Sequence, residues 1–325
     1  MTYREADLRR LTTIPVAGRQ NRVDPSLLAA VPGADRSFHA FLESLPDVLA
    51  ARDLRAVIAG VAAAAEAGRA VVLLVGGHVI KVGLGPLLGT LIARGVVTHV
   101  ALNGAAAIHD FELAAFGGTS EDVEAGLADG SFGMAEETGA EMNAATTAAA
   151  RADQGMGEGL ARALAERATA LPGREASVLL AAHAHDVPVT VHATIGGEII
   201  HQHPTADGAA IGATSHRDFR RLAGSLALLD HGGAVLNLGS AVVLPEVFLK
   251  ALTIARNLDG GRPTHFLAAD FDMQRQYRPR VNVVQRPTSG GGAGFLLTGH
   301  HELLLPLLVW GVLERLGEKA TGKHP

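Results

Sequence analysis

Short unbroken apolar runs that stop at glycine constrain this chain more than any other feature. AVVLLV (Ala70–Val75) ends on Gly76 and Gly77. Such a run shows no polar–apolar alternation and is too short for a core helix, so it suits a strand covered on both faces, as in parallel sheets. The texture returns at VTHVAL, DVPVTVHATI, GGAVLNLG, PTHFLAA and VNVVQ. Between or after these runs lie helical stretches: residues 85–94, HDFELAAF beyond the turn NGAAA, a polar helix-prone middle (residues 119–171), LPEVFLKALTIARNL and HHELLLPLLVWGVLERLG. Alternating strand and helix predicts an α/β, Rossmann-like fold whose mostly parallel sheet carries helices on both faces. Ahead of it, residues 1–69 read as an N-terminal helical extension, and residues 70–325 as one structural unit. SGGGAG at Ser289–Gly294 reads as a flexible loop.

Composition removes several function classes. Hydrophobic residues at 48% and charged residues at 19% exclude a disordered chain. With no cysteine, disulfides, thiolate metal sites and a thiol nucleophile are excluded. A net charge of -5 with 28 basic residues argues against a nucleic-acid groove, which needs a basic stripe. The N-terminal MTYREADLRRLTT is too polar for a signal peptide, and the apolar run Leu303–Leu313 is shorter than the roughly 20 residues that cross a bilayer. A cytoplasmic protein with no membrane and no nucleic-acid partner is the expectation.

Ligands of doubly wound sheets bind beyond the carboxyl ends of the strands, and there this chain is rich in polar residues: GGHVIK, NGAAAIHD, GGEIIHQHP, GSAVVLPE and AADFD. GGHVIKVGLG is not a G-x-G-x-x-G fingerprint, so its glycines read equally as a tight turn or a cofactor contact. His201 and His203, two apart, would face one side of an extended segment, as a metal-ligand pair or as a hydrogen-bonded structural pair. His109 is an unfavoured first-turn residue and reads as functional, whereas Asp110 beside it complements a helix dipole. His300 and His301 open the last helix, a phosphate contact or a solvated end. The chain has only four lysines; Lys81 sits in an apolar loop, able to pair with phosphate or substrate, and Lys250 pairs with Glu246 at i, i+4. Arg275, Arg278 and Arg280 crowd one loop and suit an anionic substrate.

The order and spelling of these segments resemble deoxyhypusine synthase and its bacterial homologues across roughly residues 70 to 315. GGHVIKVG sits where that family places its first cofactor loop. NGAAAIHD resembles TAGGxEED, GEIIHQH resembles GDMxYFH, LGSAVVLPE resembles LGGGVVKHH, ADFD resembles QEFD, and GHHELLLPLLV resembles ADASLVFPLLV. The resemblance implies an NAD site between subunits of a homotetramer, with Gly77, His78, Lys81, Asn103, Ala105, Gly239, Ser240, Ala268, Asp272, Gly299 and His300 at the cofactor-contacting places. It puts Glu198 at the family's acidic polyamine-binding position, and Pro245 and Glu246 at its catalytic histidine pair. The family's Trp-Gly-Lys segment corresponds to Tyr277–Arg280 (YRPR), and no lysine lies between Lys250 and Lys319.

These readings select Lys81, His109, Glu198, His203 and Glu246 as catalytic candidates, Arg278 and Arg280 as substrate-binding candidates, and no metal. The leading expectation is an NAD-dependent, transferase-like protein acting on a small polar substrate by redox or group transfer, without deoxyhypusine synthesis. Two others remain: a metal-dependent hydrolase or lyase built on His78, His109, His201 and His203 with Glu198, and a non-catalytic oligomer that senses the cofactor.

Overall fold

A computed structural model describes residues 3–321, with side chains to Gly317. Six strands, β1 (Val71–Val75), β2 (His99–Asn103), β3 (Val189–His192), β4 (Ala234–Leu238), β5 (Leu267–Asp272) and β6 (Ala293–Thr298), form one sheet ordered β3-β2-β1-β4-β5-β6. Every pairing is parallel. Two helices precede the sheet, α1 (Phe38–Ser44) and α2 (Leu49–Glu66), and the residues before α1 make only single turns, exposed except for the half-buried Leu27. The helix α3 (Gly77–Lys81) and then α4 (Gly85–Ala93) join β1 to β2. Between β2 and β3 come α5 (Gly104–Phe116), α6 (Val123–Asp129), α7 (Glu136–Arg151), α8 (Met156–Ala165) and α9 (Val178–Ala184). The chain then crosses the sheet with α10 (Gly208–Ser225), and α11 (Val243–Leu258) leads into β5.

Alternate residues of β1 feed two cores. Val71, Leu73 and Val75 pack with residues of α2 to α5, α8 and α9, whereas Val72 and Leu74 pack with those of α10 and α11. Both faces are therefore covered, which is why the strand sequences lack alternation.

Two expectations change beyond β5. VNVVQ is no strand: it belongs to a π-helical turn, Pro279–Gln285, that continues into α12 (Arg286–Thr288). Val281, Asn282, Val283 and Val284 are all buried, and four buried residues in succession suit a helix wedged between α11 and the sheet as well as a two-sided strand. The sixth strand instead begins inside the glycine-rich segment, where Phe266 O and the β5 backbone offer a ladder to Ala293 and its successors. The last helix, α13 (His301–Thr321), follows at once and packs on α2.

The β2–β3 edge is pinned by a buried polar chain. His99 Nδ1 meets Ser225 Oγ at 2.8 Å and its Nε2 meets Thr190 Oγ1 at 3.0 Å, and Thr190 Oγ1 lies 3.1 Å from His192 Nε2. Burial drives both histidines down to about 3, so the chain is neutral.

Candidate functional site

The turns after β1, β2 and β4 crowd together at the carboxyl edge, at the point where the strand order reverses. A Cβ on Gly76 would sit 2.3 Å from Gly239 O, and one on Gly77 would sit 2.9 Å from Ala105 Cβ. Gly239 has φ +69° and faces His301 Nε2, so its position requires glycine twice over. The His78 and His301 rings lie 5.8 Å apart and bridge the two halves of the edge. His301 is buried and its Nδ1 has no hydrogen-bond partner; burial lowers its basicity, with Asp272 acting the other way.

On the β1-β2-β3 side, Lys81, His109 and Glu198 line one cavity of about 240 Å³ with Ala105, Ile108 and Phe132. Each comes from a different strand end: Lys81 closes α3 after β1, His109 lies in α5 after β2, and Glu198 follows β3. Lys81 is thus the last residue of a helix, not a loop residue, because α3 starts directly at Gly77. Glu198 reaches the cavity over the first residue of α5, where a Cβ on Gly104 would lie 2.2 Å from its Oε1. Its carboxylate accepts from Thr194 N at 2.9 and 3.1 Å and lies 3.0 Å from His201 Nδ1. Burial pushes Glu198 up to about 7 despite those backbone hydrogen bonds. His109 is held below the usual imidazole value, first by burial and then by the charges of Lys81 and His78. Its Nδ1 is 2.7 Å from Thr119 Oγ1; Thr119 donates to Glu112 Oε2 at 2.5 Å and Thr138 to Glu112 Oε1 at 2.9 Å. Sequence reasoning missed Glu112 and Thr119. The available signal was that Glu112 lies three residues after His109 and hence on the same helical face.

Other candidates lie elsewhere. Glu246 sits in the first turn of α11, paired with Lys250 and Arg278 and accepting from Asn282 Nδ2 at 2.8 Å; the Lys250 contact is the main reason its carboxyl is held low. Arg278 is thereby occupied, and Arg280 lies over the Tyr277 ring at 5.8 Å. His203 turns to Thr205 Oγ1 at 2.8 Å, while His201 ends a single turn and faces Glu198, so the pair does not share one side of an extended segment. Among the described residues no three His, Asp or Glu side chains converge as a metal set. Asp110 caps another helix rather than complementing its own: it accepts from Ser177 Oγ at 2.6 Å, Val178 N at 2.6 Å and Leu179 N at 3.1 Å, fixing the start of α9. Asn103 and Ser240 spend their side-chain oxygens on Ala106 N and Leu244 N, the first turns of α5 and α11. Ala268 is buried at the second position of β5, well back from the carboxyl edge, whereas Asp272 ends that strand and Gly299 and His300 follow β6.

No protein-family model matches the chain, and a search of curated proteins found no similar sequence. Solved structures resemble it. A ternary complex of AgrE with ornithine and NAD+ superposes with a TM-score of 0.51 at 16% identity, covering 83% of this chain and 34% of that one. ArgZ, a cyanobacterial arginine dihydrolase of the ornithine-ammonia cycle, gives 0.49 at 16% identity over 82% and 33%. An Entamoeba histolytica chain provisionally assigned as a deoxyhypusine synthase gives 0.48 at 11% identity over 87% and 97%. This chain spans about a third of the AgrE and ArgZ chains. What the likeness to AgrE establishes is the fold, a parallel α/β sheet.

Proposed function

We propose that the chain binds NAD along the carboxyl edge of the sheet and acts on a small polar substrate, by redox or group transfer, in the cavity of Lys81, His109 and Glu198. One observation carries this reading: a cation, a base held neutral and a carboxyl with a raised proton affinity come from three successive strand ends onto one cavity of about 240 Å³. Catalytic groups are tuned in this way by burial and neighbouring charge. The cavity is too small for a dinucleotide, which would lie beside it. There Gly77 packs on Ala105, Gly76 on Gly239, and the His78 ring lies 5.8 Å from that of buried His301, whose unpartnered Nδ1 is a polar atom suited to a bound group, while Asp272, Gly299 and His300 lie at the ends of β5 and β6. NAD, when bound, supplies hydride acceptance. The chain's own residues do the rest: Lys81 holds an anionic group, His109 takes a proton and Glu198 holds one.

Deoxyhypusine synthesis does not fit this chain. An imine needs a lysine, and the segment corresponding to the family's lysine is Tyr277–Arg280, whose Arg278 guanidinium is bound to Glu246 and cannot act as a nucleophile. Borohydride in the presence of spermidine and NAD is expected to trap no adduct on the protein; an adduct on Lys81 or Lys250 would reverse this.

The deciding experiment is calorimetric titration with NAD+ and NADH. Binding is expected, weakened at least tenfold by His78→Ala and unchanged by His216→Ala, whose ring lies against Phe219 on α10. Absence of binding at millimolar cofactor sinks the proposal.

A further inference from the structure

We infer that Thr119 and Glu112 fix the His109 ring in the tautomer with a hydrogen on Nδ1, which leaves the Nε2 lone pair at the cavity to accept a proton from a hydroxyl-bearing ligand. This rests on reading the cavity as a substrate site and assigns roles within it.

The direction of the hydrogen bonds follows from counting hydrogens. A threonine hydroxyl has one to give. Thr119 gives its hydrogen to Glu112 Oε2 at 2.5 Å, and Glu112 is a double acceptor, because Thr138 donates to its other oxygen at 2.9 Å. Toward the ring, 2.7 Å away, Thr119 Oγ1 can therefore only accept, so Nδ1 must donate. A neutral imidazole carries a single hydrogen, so Nε2 is bare. Among the described residues Nε2 takes no hydrogen bond from the protein, and the ring forms part of the cavity wall. The arrangement follows the logic of a histidine oriented by a carboxylate, with a threonine hydroxyl between them. Thr119 and Glu112 act here as positioning residues: Thr119 touches the ring, and Glu112 acts on it through Thr119 while also forming part of the cavity wall.

The proton balance is simple. The ligand O–H bond breaks with its electron pair left on oxygen, the proton moves to Nε2, and the resulting imidazolium keeps its Nδ1–H directed at Thr119 and, through it, at Glu112. A hydroxyl gives His109 Nε2 a proton to take, whereas an ammonium would be drawn to the carboxyl groups of Glu112, Glu121 and Glu198 in the same wall. Lys81 lines the cavity too, with no carboxylate in ion-pair range among the described residues, and its charge favours the oxyanion that a hydroxyl leaves behind.

The test is two-bond nitrogen–proton NMR of the histidine-labelled protein without added ligand. His109 is expected as the Nδ1–H tautomer. Thr119→Val is expected to lose that preference and Thr119→Ser to restore it, with circular dichroism confirming the fold of each. Diethyl pyrocarbonate, which acylates an unprotonated accessible ring nitrogen, is expected to modify His109 when the adducts are mapped by peptide mass spectrometry. An Nε2–H tautomer in the unsubstituted protein, a tautomer unmoved by Thr119→Val, or a His109 that resists acylation overturns the inference. None of these readouts involves NAD, so their failure and a failed cofactor titration are distinguishable.

Discussion

Asp270 shows how much a single side chain can say about this sheet. It lies in the middle of β5 opposite Asn237 of β4, buried, and accepts from Asn237 Nδ2 at 2.7 Å, while Asn237 Oδ1 is buried without a partner. Burial pushes Asp270 up to about 7, opposed by the Asn237 hydrogen bond and aided by the charge of Asp272. A carboxyl whose folded value is raised binds a proton in the native state that the unfolded chain has already released. Its contribution to stability therefore declines as pH rises from about 4 toward 7, and is level above that. Asp218, also near 7, and Asp110, near 6, have the same sign. Asn at 270 stays neutral at every pH and can give its amide hydrogen to Asn237 Oδ1. Asp270→Asn is thus expected to flatten the decline of unfolding free energy between pH 5 and 7 by up to about 1.4 kcal/mol per pH unit, read from urea denaturation at each pH. Parallel curves for the two proteins would mean that Asp270 is ionised in the folded state.

At the scale of elements, glycines at the strand ends separate packing from function. Gly76 and Gly104 both exclude a side chain, against different neighbours. A Cβ at Gly76 meets the backbone carbonyl of Gly239 at 2.3 Å, and neither turn can retreat because both continue buried strands. A Cβ at Gly104 meets Glu198, whose side chain can swing away. Gly76→Ala is expected to lower stability by about 1–3 kcal/mol, as overpacking does. Gly104→Ala is expected to stay within about 1 kcal/mol of the parent, since alanine favours the helix, while displacing Glu198 from the cavity. Denaturation midpoints distinguish the two. The same contrast explains what the sequence made legible. AVVLLV, GGAVLNLG and their helices were readable because burial on both faces writes itself as unbroken apolar runs. VNVVQ misled for the same reason: four buried residues in a row look alike in a strand and in a wedged π-turn. β6 stayed hidden because AGFLLT opens with Ala293 and Gly294 inside a glycine-rich segment that reads as loop. At the site, Lys81, His109 and Glu198 were legible as polar residues at strand ends, but Thr119 was not, since only the tertiary fold brings that post-helix residue back to His109.

For the whole molecule, the exposed apolar surface bears on assembly. Leu303 and Trp310 of α13 are 64% and 59% exposed, and the Phe38 ring lies 5.8 Å from that of Trp310 between centres. The segment before α1 adds Leu8, Leu11, Ile14 and Val16, all exposed, and among the described residues no helix is long and apolar enough to cross a membrane. Scattered apolar residues are ordinary on a monomer; an apolar helix together with an apolar-rich arm points to burial between subunits. We propose a homotetramer in which α13 contributes to an interface. Light scattering at micromolar concentration is expected to give four times the 33.6 kDa of one chain. Leu303→Glu places a charge on that face at a position which a lone chain leaves in solvent, so it should change the stability of an isolated chain by no more than about 0.5 kcal/mol. Within an interface the same carboxylate would be desolvated without a partner, and the assembly should dissociate to smaller species. A monomeric parent contradicts the tetramer outright, and a tetramer that tolerates Leu303→Glu unchanged moves the interface away from α13.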